Sequence, residues 1–254
     1  MLVLRRIDQI TEVQVSDGRN VAPELPVSVR LMAFRGFPPE ALTFYEGLEA
    51  DNSKTYWTAQ KDVYERAVKE PMEALCAELD DDGFGPMRIF RPYRDVRFSK
   101  DKAPYKTAVA AAGESENGSV YYVHLSVEGL FVGSGYYHMA SDQLARFREA
   151  VDDDKTGGEV AAIGAALEKA RYDLTAHESL KTAPRGYAKD HPRIDLLRRK
   201  GLVAGKQWPV AKWLHTAEAK KRIEGAWRDF APLNRWLAEH VGPSELPPDE
   251  RDVR

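Results

Sequence analysis

Seven of the twenty residues from Arg88 to Thr107 are Arg or Lys and two are Asp, a local charge of +5 in a chain of net charge −3. Guanidinium groups offer planar forks of donors that match a carboxylate or phosphate, and lysine ammonium groups add point charges. A cluster of this kind requires anionic company, drawn from the protein or from a ligand. Arg91, Arg94, Arg97, Asp101, Lys106 and, from a second basic stretch, Arg185 are therefore the residues expected to hold a small anionic, phosphate-bearing ligand. If a reaction takes place there, the arginines would stabilise developing negative charge, Asp95 would orient them, and Lys102 or Tyr105 would serve as an acid.

Residues 88–98 are aromatic and short in period, which predicts a strand. Side chains alternate along a strand, so Arg91, Tyr93, Asp95 and Arg97 would share one face while Phe90, Arg94, Val96 and Phe98 share the other. Arg94 would then lie on an apolar face, where an unpaired charge is costly, and needs an internal partner. Two readings follow from the same residues. In one, Arg94 organises the core and Asp95 with Arg97 braces the strand. In the other, Arg91 and Arg97 present their forks to an anion, with Lys102 and Lys106 contributing from the next loop. Ser99 to Thr107 lacks apolar periodicity and reads as that loop, stiffened at Pro104. The second basic stretch (Lys181, Arg185, Lys189, Arg193, Arg198, Arg199, Lys200, Lys206) either shares an anion with the first or, at Arg198 to Lys200, complements a helix C-terminus.

Other chemistries find little support. Gly133-Ser134-Gly135 lacks phosphate-loop spacing and lies within a strand pattern, where glycine marks a bulge or a close backbone approach. None of the six histidines falls in a metal-binding motif, so no metal is expected. His124 and His138 could meet across a hairpin, yet each reads better as a hydrogen-bonded structural residue. There is no nucleophile elbow, and no cofactor is expected. Cys76, the one cysteine, shares a helix face with Met72, Leu75 and Leu79, which predicts a buried thiol. Aromatics around the basic stretch (Phe90, Tyr93, Phe98, Tyr105, Tyr121, Tyr122) are compatible with base stacking. The alternative function is thus a non-enzymatic module for nucleic acid or a protein partner.

The positioning elements are legible in outline. Pro38-Pro39 opens a helix with Leu42, Tyr45 and Leu48 on one face, and Asn52 or Ser53 caps the next. Pro71 should kink or break that second helix, whose apolar pattern ends at Asp80-Asp81-Asp82-Gly83. Residues 120–126 and 130–138 form an antiparallel hairpin across Val127-Glu128-Gly129. Ser141 caps a helix bearing Leu144, Phe147 and Val151, and Thr156-Gly157-Gly158 opens an alanine-rich one. Pro192 and Gly201 bracket another helix, and Thr216 caps a long one bearing Ile223, Trp227 and Phe230 before a last short helix at Pro232 to His240. Helices, then strands, then helices imply an α+β fold: a single domain over residues 34–241, with a mainly antiparallel sheet packed with helices. Residues 1–33 read as a poorly ordered extension, of which the fold can lose 1–31, and 242–254 as a frayed tail.

At 254 residues, with 43% hydrophobic and 30% charged, the composition is that of a soluble globular protein. No stretch approaches a membrane span, and charge at Arg5-Arg6 comes too early for a signal peptide, so the cytoplasm is the expected location. The pattern Arg91-x-x-Arg94-Asp95-x-Arg97-Phe98, followed by Asp101-Lys102-x-x-Tyr105, resembles the signature of the bacterial proteins grouped as domain of unknown function 2461. The likeness continues through Asp51 to Trp57, Tyr121 to His124, Phe131 to Gly135, Leu180 to Tyr187, Asp190 to Pro192 and Pro232 to Leu237, covering roughly residues 34–240. Residues 1–31 have no recognised counterpart. That family has no established activity, so the resemblance implies kinship and no substrate.

Overall fold

The computed structural model describes residues 33–97, 99–115 and 118–247; the expectations for residues 1–32, Phe98 and the end of the tail fall outside them. The chain enters through Phe34, whose amide donates to Glu78 Oε1 at 2.6 Å. Helix α1 (Pro39–Ala50) begins with proline at its first position, where no intrahelical amide is needed, and buries Ala41, Phe44, Tyr45 and Leu48. Helix α2 (Lys54–Ala59) is capped by Ser53, whose hydroxyl accepts from Tyr56 N at 3.1 Å. Next, α3 (Lys61–Val63) runs through a π-helical turn (Tyr64–Lys69) into α4 (Glu70–Asp81). Pro71 therefore does not break the chain: it sits in the first turn of α4, after a widened turn that redistributes the backbone bonds around its missing amide. Cys76 is buried in α4 as expected, and burial pushes its thiol pKa up.

Strands β1 (Met87–Ile89), β2 (Ala108–Glu114), β3 (Val120–Ser126), β4 (Gly129–Tyr136), β5 (Asp173–Thr175) and β6 (Leu202–Trp208) form one sheet in the order β1-β2-β3-β4-β6-β5, antiparallel throughout. With the helices it makes the expected single-domain α+β fold. The β3–β4 hairpin forms where the sequence places it, with Val123 opposite Val132. The strand expected over 88–98 stops at Ile89. Pro92 and Pro104 cannot donate to a ladder, so only isolated bonds continue it: Phe90 N to Ala110 O, Arg94 N to Pro104 O and Lys106 N to Pro92 O. The chain stays extended enough to preserve the alternation. Arg91, Tyr93, Asp95 and Arg97 are exposed, and Arg94 and Val96 are partly buried.

One sheet face, with Val109, Ala111, Val123, Leu125, Leu130, Val132, Leu202 and Ala204, joins the main core; Ala108, Ala110, Tyr122 and Phe131 on the other face form a smaller cluster. The main face packs against α8 (Glu218–His240), flanked by α5 (Ser141–Asp152), α6 (Asp154–Lys169), the short α7 (Ile194–Leu197) and a 3-10 turn (Lys212–His215). The separate helix expected from Pro232 is instead part of α8. Its apolar face, with Phe230, Leu233, Trp236 and Leu237 buried on either side of the proline, outweighs the lost backbone bond. Where α8 crosses β4, Asn234 Nδ2 donates to Ser134 Oγ at 2.8 Å. Gly135 next to it has φ +139°, and a Cβ there would lie 2.2 Å from Leu202 O, so this glycine marks a close backbone approach.

Helix α6 starts two residues ahead of Thr156, because Asp153 accepts from the amides of Lys155 (2.9 Å) and Thr156 (2.8 Å) and so forms the cap. The first residues of the expected frayed tail are tied down. Gly242 O accepts from Gln143 Nε2, Pro243 O accepts from Arg146 Nη2, and Asp142 accepts from Ser244 Oγ and Glu245 N, each at 2.8 Å. No helix among the described residues is long and apolar enough to cross a membrane.

Candidate functional site

The loop that leads from the basic motif into β2 forms one wall of a cleft of about 370 Å³. Arg94, Asp101, Ala103, Tyr105 and Lys106 supply that wall, Glu49 and Asn52 come from the end of α1, and Ala108, His124 and Ser126 form the sheet side. Glu128, in the β3–β4 turn, and Gln207, on β6, complete the lining. The volume is at the small end of the range for sites that hold a small molecule.

Asn52 explains how so irregular a loop keeps its shape. Its Nδ2 donates to Tyr105 O and its Oδ1 accepts from Tyr105 N, both at 3.0 Å, so a side chain takes the place of a neighbouring strand. The Tyr105 ring stacks on Trp57 of α2 with centroids 4.3 Å apart and planes 5° from parallel. The helical layer thus grips the loop by backbone and ring together. This also corrects Asn52 as a possible cap, since Ser53 does the capping.

Arg94 is the more sheltered of the motif's two paired arginines, with its side chain 13% exposed. Its Nη1 donates to Asp101 Oδ2 (2.6 Å) and to Ala103 O (3.2 Å), and Asp101 Oδ1 accepts from Ala103 N (2.9 Å). The Ala103 amide, then Arg94, hold the Asp101 carboxyl below its ordinary pKa. Only one nitrogen of the guanidinium is used in this way. Nε and Nη2 of Arg94 have no acceptor among the described residues, although the group is largely withdrawn from solvent and lines the cleft.

The other sequence-derived site residues lie elsewhere. Asp95, expected to bridge two arginines, pairs among the described residues with Arg97 only: Arg97 Nε donates to it at 2.9 Å, and Nη2 makes a second, shorter contact. Those bonds, then the Arg97 amide, lower the Asp95 pKa to about 2. Lys102 Nζ donates to Val96 O at 2.8 Å. Arg91, Asp95, Arg97, Lys102 and Arg185 are exposed and absent from the cleft lining, whereas Arg94, Asp101, Tyr105 and Lys106 are in it. Lys106 Nζ also sits 5.4 Å from the Phe90 ring centroid. Burial, then the neighbouring Tyr93, raises the Tyr105 pKa above that of an ordinary phenol.

The later part of the second basic stretch, Arg193 to Lys206, is engaged within the protein. Arg193 donates to the carbonyls of Val151 and Asp152 at the end of α5, Arg199 Nη1 to Leu174 O, and Lys200 pairs with Glu178 at 2.7 Å. It has no part in the cleft. His124 and His138 do not meet, because the register sets His124 opposite Phe131. Among the described residues no group of histidine, cysteine, aspartate and glutamate is arranged to hold a metal.

Sequence reasoning missed Glu49, Asn52, Ser126, Glu128 and Gln207 as lining. One signal was available: His124 and Ser126 alternate on β3, which places two polar side chains on the same sheet face as Ala110 and Phe131. No curated protein and no solved structure matches the chain. A family model described as Conserved hypothetical protein (DUF2461) does match, over residues 40–236, an interval that contains the motif, the sheet and nearly all of α8; the chain belongs to that family.

Proposed function

We propose that the cleft recognises a small ligand through an anionic group, a phosphate or carboxylate, held by Arg94 and Lys106. One observation carries this reading: the Arg94 side chain is 13% exposed, lines the cleft, and keeps two nitrogens without an acceptor among the described residues. Guanidinium donors left open towards a cleft have a bidentate oxyanion as their natural complement. The structural reading accounts for Asp95 with Arg97 and for Lys102, whose donors are used within the loop. It does not account for the rest of Arg94. Tyr105 is the acid candidate that remains beside the cleft.

A second reading, a nucleic-acid or protein interaction surface, has its own support. Tyr93 is 58% exposed between the exposed Arg91 and Arg97, an aromatic flanked by cations outside the cleft. The cleft makes the stronger case because it encloses its donors.

A thermal-shift screen of inorganic phosphate, sugar phosphates, nucleotides and carboxylates separates the two. A ligand of the folded state raises the melting temperature by mass action, and the gain from a charged one falls with salt. The shift should vanish in Arg94→Lys, which keeps the charge but loses the fork, and persist in Arg97→Ala. If no anion stabilises the protein, or if Arg94→Lys responds like wild type, the cleft reading fails. Loss of the response in Tyr93→Ala would move the site to the outer surface.

A further inference from the structure

We infer that the ligand carries a cationic group as well as its anion, and that Glu49 reads the cation. This rests on the cleft reading above. The sequence presents the motif as a source of surplus positive charge, but the cleft it helps to form is of mixed sign. Arg94 and Lys106 are its two cations, and Glu49, Asp101 and Glu128 are its three carboxylates. Asp101 is already engaged by Arg94 and by the Ala103 amide. Glu49 has no hydrogen bond and no ion pair among the described residues. A ligand that is only anionic would therefore enter a lining whose carboxylates are not all answered, and like charge opposes it there.

The placement of Glu49 points the same way. It lies in the last turn of α1, where the carbonyl end of the helix is already partly negative, and that turn contains no basic residue. Glu46 and Asp51 flank it. A carboxylate at that position works against the helix, so its charge is not explained by the stability of α1. A carboxylate in the cleft lining at the carbonyl end of a helix suits an ammonium group. Arg94, in the same lining, offers a fork to an oxyanion. Asn52, three residues after Glu49, ties this helix end to Tyr105 in the motif loop, so the two poles are held in fixed relation. The chemical class that satisfies both is a small zwitterion, either an amino acid or an amine-bearing phosphate monoester.

Matched pairs of probes test this by titration calorimetry: 2-aminoethyl phosphate against ethyl phosphate, and β-alanine against propionate. Within the anion class that binds, the amine-bearing member should bind about tenfold more tightly, the scale of one charge-assisted hydrogen bond. Glu49→Gln should reduce that preference to about twofold, with the amine-free probe bound at least as tightly as by wild type because a like charge is gone, and Arg94→Lys should weaken both members. Because Glu49 is exposed and makes no internal bond, its replacement leaves the fold intact, which circular dichroism checks. Equal affinity of the paired probes for wild type overturns the zwitterion inference and leaves the anion reading standing. A preference that survives in Glu49→Gln overturns the role given to Glu49. If none of the four probes binds, the anion reading falls with it.

Discussion

Asn52 is the residue on which the shape of the candidate site turns. It is short and neutral, and it offers one donor and one acceptor side by side, which is what a strand neighbour would present to Tyr105. Asn52→Ala would leave both backbone groups of Tyr105 without these partners in a partly buried place. We expect a loss of about 1–3 kcal/mol in urea unfolding, with ligand response lost at temperatures where the fold persists. Arg94 works on the same loop from the other side. Because its partner Asp101 is itself exposed, removing Arg94 does not strand a buried carboxylate, and the large penalty of a broken internal ion pair does not apply. The sequence pointed to Arg94 as the internally paired arginine; Arg94 is paired, but so is Arg97, with Asp95. It pointed to the core for the partner, since an arginine on an apolar strand face has nowhere else to turn, but the chain there is a proline-interrupted loop that supplies its own carboxylate.

At the scale of elements, what was legible followed periodicity and what was missed followed composition. The β3–β4 hairpin and the apolar faces of α1, α4 and α8 announce themselves through Val, Phe, Leu and Trp at regular spacing. Strand β2 (AVAAAGE) is built largely from alanine and glycine, which favour a strand only when neighbouring strands are already in place, and β6 (LVAGKQW) passes from Leu-Val into Ala-Gly-Lys-Gln with no clear alternation. Pro232 misled for a related reason, since tertiary burial on both sides keeps α8 whole. Helix α5 shows a further role that no propensity encodes, holding the chain beyond α8. Burial works against the charge on Asp142, and hydrogen bonds from the Glu245 amide and the Ser244 hydroxyl, with Arg146 nearby, outweigh it and hold the pKa at about 2. A carboxyl with a folded pKa below its ordinary 3.8 stabilises the fold above that value, and the contribution is lost as pH falls towards 2. The gap in urea midpoint between wild type and Asp142→Asn should therefore be full near neutral pH and close on acidification through that window. A gap independent of pH would show that the tether does not depend on the charge.

Across the whole molecule, the cleft gathers residues from position 49 to position 207, and this is why only its motif wall could be read in advance. Arg94, Asp101, Tyr105 and Lys106 are neighbours in sequence and carry a conspicuous charge pattern. Glu49, Ser126, Glu128 and Gln207 are ordinary polar residues until the antiparallel order of the sheet and the packing of α1 bring them together. The same convergence gives the protein a built-in optical readout. The chain has five tryptophans, and Trp57 is the one stacked face to face on a cleft residue, Tyr105. Indole emission responds to the polarity and motion of its surroundings, so occupation of the cleft should alter Trp57 fluorescence without any added dye. The change should disappear in Trp57→Phe while the other four tryptophans still report global unfolding, which separates filling of the site from melting of the fold in a single titration.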